Sequence, residues 1–359
     1  MTNLKIKILI FSAICFLSLV LNSCETSEKN FSIKGNLECV KSEYLVLYKN
    51  NITDTVKVKN NEIFIEGKID TVQMVYIKNP DNNKKYKFIL EPGQIKISCD
   101  SLGLIATGTP TNNSFLEYNR GMDLATDKVM ALYQVYHAQD TDEDKKMAMT
   151  NYNKSEEERL AFMRKQLRDN PNLTGLQILK PIYRTDSIQN LSGYLSLLKK
   201  YSNSEIYQEV FEYNKAVASA SPGKNAPEIE LLDLKGNFIS LEQFKGNYIL
   251  LDFWFTGCGY CDQLVPHLKQ IYKDYHDKGF EIIDISVDKD EQDWRKTAAK
   301  KNSPWIHLHD PVKKVASKYG MPGYPILILI DREGKVLKRL VGYRNESDLR
   351  KEILSVMKF

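Results

Sequence analysis

The apolar positions change their spacing twice along the chain. From Phe31 to about Ser98 they alternate with period two, in Tyr44-Leu45-Val46-Leu47-Tyr48, Thr55-Val56-Lys57-Val58, Ile63-Phe64-Ile65, Met74-Val75-Tyr76-Ile77, Phe88-Ile89-Leu90 and Ile95-Lys96-Ile97-Ser98. Turn formers separate these runs at Lys59-Asn60-Asn61, Asn79-Pro80-Asp81-Asn82-Asn83 and Glu91-Pro92-Gly93. Such alternation predicts an all-β sandwich or barrel of about seven strands. Residues 111–219 then take helical spacing, with Asn112-Asn113-Ser114 as a cap region and Phe115, Met122, Ala125, Val129 and Leu132 along one face. Further helical segments run around Glu156 to Leu167 and from Ile188 to Val217, and the aromatic residues of this region are read as packing. The small-residue stretch Ser219-Ala220-Ser221-Pro222-Gly223-Lys224-Asn225-Ala226-Pro227 reads as a linker into a third pattern.

In that third pattern, Tyr248-Ile249-Leu250-Leu251-Asp252-Phe253-Trp254-Phe255 is a continuous apolar strand carrying one carboxylate, the signature of the centre of a sheet covered on both faces. It runs into Thr256-Gly257-Cys258-Gly259-Tyr260-Cys261, and helical spacing follows through Leu264, Leu268, Ile271 and Tyr272. Both cysteines therefore stand where a strand hands over to a helix. Unpaired N–H groups and the helix dipole there favour the thiolate of the first cysteine, which is the form that attacks disulfides. Two intervening residues let the second thiol close back on the first.

The amino terminus changes what the cysteines can do. Lys5 and Lys7, the uncharged run Ile8 to Leu21 and the small residues before Cys24 describe an export signal, and the run is shorter than the roughly 20 residues that span a bilayer. Leu21-Asn22-Ser23-Cys24 resembles a bacterial lipobox, which implies cleavage before Cys24 and lipidation of that cysteine. Glu25, in the place where an Asp would signal inner-membrane retention, favours the outer membrane. Of six cysteines, Cys39, Cys99, Cys258 and Cys261 remain for thiol chemistry, in a compartment where disulfides persist. For Cys39 and Cys99 two separately buried thiols are preferred over a bridge.

The resulting plan is a signal peptide at 1–23, a β domain at 24–110, a helical region at 111–220 and an α/β domain at 221–359. The chain of 359 residues is 42% hydrophobic and 27% charged, so it can bury cores of this number. A formal net charge of +4 without a concentrated basic face excludes nucleic acid as a favoured partner. Zinc would need two ligands besides the cysteine pair. His307 and His309 are the nearest candidates, at a spacing unlike the usual zinc pairs, so no metal is expected.

Residues 223–359 resemble the thioredoxin fold, and within it the membrane-tethered thiol–disulfide oxidoreductases of the TlpA/ResA type. Four spacings carry the likeness: Asp252 six residues before Cys258, Pro266 five after Cys261, Pro325 before the strand Ile326–Ile330 in the family's cis-proline position, and Gly334 and Gly342 in the last hairpin. The β unit likewise resembles the domain of unknown role that precedes such modules in envelope lipoproteins. The resemblance implies Cys258 as nucleophile, Cys261 as resolving thiol, Asp252 as its base, and a substrate-binding set of Tyr324, Pro325, Tyr260 and Trp254. It implies no cofactor beyond the redox-active Cys258–Cys261 disulfide. The expected partners are disulfide-containing envelope proteins and a membrane electron donor, with the thioredoxin domain in the periplasm.

Three positions depart from the family pattern: Tyr260 replaces the usual Pro, Gly257 replaces Trp, and Asp284 stands where thioredoxins carry Lys. Asp284 is either a second proton relay or a strand-end carboxylate. Residues 288–311 form the helix–strand insertion that this branch shares with peroxiredoxins. Two other functions compete with this reading. A thiol peroxidase wants Thr three residues before the reactive cysteine, whereas Thr256 lies two before it, and a non-catalytic binding lipoprotein would not need the Cys-x-x-Cys pair.

Overall fold

The structure is a computed structural model and describes residues 29–49, 52–101 and 103–358. The expected signal peptide and the expected lipidation site Cys24 lie outside the described residues. The described residues up to Asn112 and those from Asn113 onward form two compact units. Among the described residues no helix is long and apolar enough to cross a membrane.

The first unit contains β1 (Lys29–Asn36), β2 (Tyr44–Lys49), β3 (Ile52–Lys57), β4 (Glu62–Ile69), β5 (Gln73–Asn79), β6 (Lys84–Leu90), β7 (Gly93–Asp100) and β8 (Gly103–Thr107). They form two four-stranded sheets, β4-β1-β7-β8 and β3-β2-β5-β6. Alternate residues of both sheets, among them Ile33, Ile63, Ile95, Leu45, Val75, Ile77 and Phe88, meet in one core, so the unit is a sandwich. The eighth strand, β8, is one more than the alternation suggested; Leu104 and Ala106 are its inward pair, too short a run to read alone.

Cys39 and Cys99 are joined by a disulfide with Cα atoms 5.9 Å apart, and Cys39 is exposed, which corrects the expectation of two buried thiols. Pairing of β1 with β7 brings the ends of these strands together across 60 residues of sequence, which no local pattern reveals.

Helix α1 (Pro110–His137) starts at Pro110, ahead of the expected Asn112–Ser114 cap. Proline suits a first helical turn because its missing N–H would have had no partner there. The cap is supplied from a distance. The buried Glu91 carboxylate accepts hydrogen bonds from the Thr111 and Asn112 N–H groups at 3.0 and 3.2 Å and from the Thr111 hydroxyl at 2.7 Å.

The second unit continues with α2 (Asp142–Asp169), α3 (Leu173–Ile182), α4 (Ile188–Leu197) and α5 (Glu205–Ser219). Thr141, Asn172, Ser187 and Ser204 each cap a following helix through a side-chain oxygen. The thioredoxin-like part comprises β9 (Glu230–Asp233), β10 (Phe238–Ser240), β11 (Tyr248–Trp254), α6 (Gly259–Tyr275), β12 (Phe280–Ser286), α7 (Glu291–Lys301), β13 (Ile306–His309), α8 (Lys314–Lys318), β14 (Ile326–Ile330), β15 (Val336–Val341) and α9 (Glu346–Leu354). Its seven-stranded sheet has the order β10-β9-β13-β12-β11-β14-β15, with β11 and β12 parallel at its centre. Odd-numbered residues of β11 pack with Val315, Ala316 and Tyr319 on one face. Tyr248 and Leu250 pack with Leu264, Leu268, Leu349 and Ile353 on the other. Helix α7 and strand β13 are the expected insertion.

The stretch expected as a linker is tied into this fold. Gly223 and Ala226 donate backbone hydrogen bonds to Val336 and Gly334, and Val336 donates back to Lys224, at 2.8–2.9 Å. Helix α5 also lies against the loop after α8. Gly320 has φ +59°, and a Cβ there would stand 2.5 Å from the Val217 side chain and 2.9 Å from its backbone nitrogen, so only glycine allows this approach.

Candidate active site

All seven residues of β11 are buried, which anchors the segment that follows. Phe255, Thr256 and Gly257 make the turn, and Gly257 takes φ +87° to do so. Cys258 is the N-cap of α6; its Sγ accepts a hydrogen bond from the Cys261 N–H at 3.2 Å. The two cysteines form a disulfide with Cα atoms 5.2 Å apart. Cys258 keeps 6% of its surface and Cys261 none, so only the first sulfur can be approached from outside. Once reduced, the same N–H groups that cap the helix would stabilise negative charge on Cys258.

The turn is braced by an acidic clasp. Asp288 accepts from the Thr256 N–H at 2.9 Å, from the Thr256 hydroxyl at 2.8 Å and from the Ser286 hydroxyl at 2.8 Å. Thr256, the residue a peroxidase would use, is thereby committed to holding the loop.

Asp252, the fifth residue of β11, is 1% exposed, and neither carboxyl oxygen has a hydrogen-bond partner among the described residues. Burial pushes its pKa up to about 8, the neighbouring Asp284 adds to that rise, and Lys301 opposes it. Asp284 is not at a strand end. It is the fifth of seven residues in β12 and fully buried, directly beside Asp252 in the sheet register.

The Tyr324–Pro325 bond is cis, as expected. Pro325 is buried and Tyr324 half-buried, its ring 5.5 Å from that of Phe255 at 73°. The loop is held from behind: the Arg339 guanidinium donates to the carbonyl of Tyr319 at 2.7 Å and also to that of Gly320. Tyr260 is 63% exposed and pairs with Tyr343 at 6.1 Å. Trp254 does not belong in a substrate-binding set. Its fully buried ring packs with Cys258, Cys261, Trp294 and Ala298, because period two along β11 turns residue 254 to the same inner face as Asp252. Phe255, 38% exposed, holds the outward place next to it and was missed; its position one residue past the strand was the available signal.

His307 and His309 are both engaged within the fold. His307 lies beside Asp284, and His309 stacks on Trp294 while its Nε2 approaches the Asp288 carbonyl at 2.9 Å. Among the described residues no cluster of three or more His, Cys, Asp or Glu could hold a metal ion.

Residues 222–339 match the AhpC/TSA family, and residues 31–115 match a domain of unknown function (DUF4369). The thiol-disulfide oxidoreductase ResA of Bacillus thuringiensis (strain Al Hakam) is 35% identical over 132 residues, covering 35% of this chain and 73% of that protein. The protein of the same name from Geobacillus thermodenitrificans (strain NG80-2) is 30% identical over 151 residues, covering 42% and 85%. A crystal structure of the thioredoxin domain of a thiol-disulfide oxidoreductase from Bacteroides vulgatus is 38% identical, covering 37% of this chain and 96% of that one, with a TM-score of 0.34.

Proposed function

Because this chain belongs to the TlpA/ResA-like family of thioredoxin-fold thiol–disulfide oxidoreductases, we propose that it works as a reductant of protein disulfides in the bacterial cell envelope, with Cys258 and Cys261 as its whole redox centre. The observation that carries this reading is the asymmetry of the pair: Cys258 caps a helix and is reachable, while Cys261 is fully enclosed, packed on Trp254, which shares a face of β11 with the buried Asp252. The Cys258 thiolate attacks one sulfur of a substrate disulfide. The substrate S–S bond breaks, a substrate thiolate leaves, and Cys258 is held in a mixed disulfide. Asp252 then takes the proton of Cys261, whose sulfur attacks Cys258 Sγ and expels the second substrate thiolate. Two electrons pass to the substrate, and the Cys258–Cys261 disulfide closes.

The rim formed by Phe255, Tyr260, Tyr324 and Pro325 suits an extended peptide, whose backbone would pair with the N–H and C=O groups of Tyr324 as a strand adds to an edge. Re-reduction falls to a membrane electron donor. The test is turnover by the purified protein in two assays: with a dithiol as electron source it should reduce insulin disulfides, and it should not consume hydrogen peroxide above the thiol background. Peroxide turnover without insulin reduction would overturn the reading in favour of a peroxidase.

The lipobox sequence supports attachment through Cys24 to a membrane, with the outer membrane favoured by Glu25. Several acyl chains give stable anchoring where one does not. In cells fed labelled palmitate, Cys24→Ala should carry no label and leave the membrane fraction; label retained on the variant would refute the anchor.

A further inference from the structure

A row of ionisable groups crosses the centre of the sheet beneath the active-site helix. Register pairs Asp252 of β11 with Asp284 of β12, and Asp284 with His307 of β13, so three adjacent strands present these side chains on one face. Lys301, the last residue of α7, reaches down onto the same row. Its Nζ lies 3.7 Å from Asp284 Oδ2 and 3.4 Å from the centre of the Trp254 ring, the ring that packs on both cysteines. His307 Nδ1 is 3.2 Å from the same Asp284 oxygen. These side chains are 1% (Asp284), 4% (Lys301) and 6% (His307) exposed. Their contacts fall in ion-pair range but lack hydrogen-bond geometry among the described residues.

Burying two carboxylates, an ammonium and an imidazole together costs more than apolar residues of the same volume would, so stability alone is a poor reason for the arrangement. Helix α6 adds one further charge near the row, the Lys269 ammonium, which donates to the Lys301 carbonyl at 2.7 Å. Strand β14 places Leu327 opposite Asp252 in register, and Cys261 of α6 and Trp294 of α7 pack with Trp254 two residues further along β11.

We infer that Asp284 and Lys301 are opposed positioning residues that set the charge on Asp252, and through it the pH at which Cys261 resolves a mixed disulfide. The inference rests on the proposed role of Asp252 as base. The two residues act with opposite sign: the Asp284 carboxylate holds the proton on Asp252, and the Lys301 ammonium draws it off, as the directions of their effects on that carboxyl require. In the resolving step the Cys261 S–H bond breaks and an Asp252 O–H bond forms. The Cys261 sulfur bonds to Cys258 Sγ, the bond from Cys258 to the substrate sulfur breaks, and that sulfur leaves with the electron pair. Asp252 afterwards returns its proton to the departing thiolate or to solvent.

The experiment follows one turnover of the reduced full chain with 5,5′-dithiobis(2-nitrobenzoate), whose second released thionitrobenzoate reports attack by Cys261, across the range from about pH 5 to 10. Lys301→Met should move the inflection of that phase to higher pH by about one unit, making it about tenfold slower at neutral pH. Asp284→Asn should move the inflection to lower pH. Lys301→Arg should restore it towards the parent value, and the double variant Asp284→Asn/Lys301→Met should fall between the singles. A structural role predicts slowing without such opposed shifts. If Lys301→Met does not fold, Asp284→Asn decides: a lowered inflection supports the inference, and an unmoved or raised one overturns it. If Asp252→Asn abolishes the inflection while the other variants leave it in place or move it the same way, the inference falls and the base survives. If the inflection outlasts Asp252→Asn, both fall.

Discussion

Cys258→Ser is expected to abolish protein-disulfide reduction, by about a thousandfold or more, since the remaining thiol of Cys261 is fully enclosed. Cys261→Ser should also stop turnover, but by a different route. Its reachable Cys258 still attacks, and with no resolving thiol the mixed disulfides accumulate. The distinction is read on a non-reducing gel of trapped envelope proteins: adducts in abundance with Cys261→Ser, and none with Cys258→Ser. The geometry demands this inequality, because the helix N-terminus and the residual opening both belong to Cys258. Equal trapping by the two variants would overturn the assignment of attacking and resolving roles.

Asp252→Asn should slow the resolving phase by about 10²–10⁴-fold, the usual worth of a positioned general base, while leaving alkylation of Cys258 by a small reagent almost unchanged. The same substitution should raise stability in alkali. The carboxyl is pushed from the ordinary carboxylate range to about 8 by burial, so between those values the folded chain keeps a proton that the unfolded chain has lost. The stability due to the protonated form is complete at low pH and is lost as pH rises through 8. Asparagine has no such loss. In the oxidised protein the advantage of Asp252→Asn should be several kcal/mol at alkaline pH and vanish in acid. Calorimetry of the second unit's transition at both pH extremes checks it. A variant that resolves at the parent rate, or is destabilised in alkali, would leave Asp252 with a purely structural role.

The active-site core was legible because its pattern is local. A run of apolar residues ending in Cys-x-x-Cys and followed by helical spacing leaves one arrangement, a buried central strand feeding a capped helix, and β11 and α6 have that form. Pro325 was legible through the resemblance, its place before the strand Ile326–Ile330 matching the family's cis-proline position. Period two also held the answer for Trp254: a residue two past a buried Asp shares its inner face. Phe255, which the strand's end turns outward, holds the exposed place beside it.

What distant segments do to one another could be decided only by the fold. Glu91 caps α1 from the loop before β7, displacing the helix start from the local cap sequence to Pro110. Cys39 and Cys99 meet because β1 and β7 pair. Asp284 is unremarkable along the chain, yet parallel pairing of β11 with β12 sets it beside Asp252, and α7 brings Lys301 to both. Apolar periodicity specifies which face of an element is buried; it does not specify which residues of another element that face will meet. Strand register and helix docking settle that, and here they determined the electrostatic surroundings of the acid beneath the two cysteines.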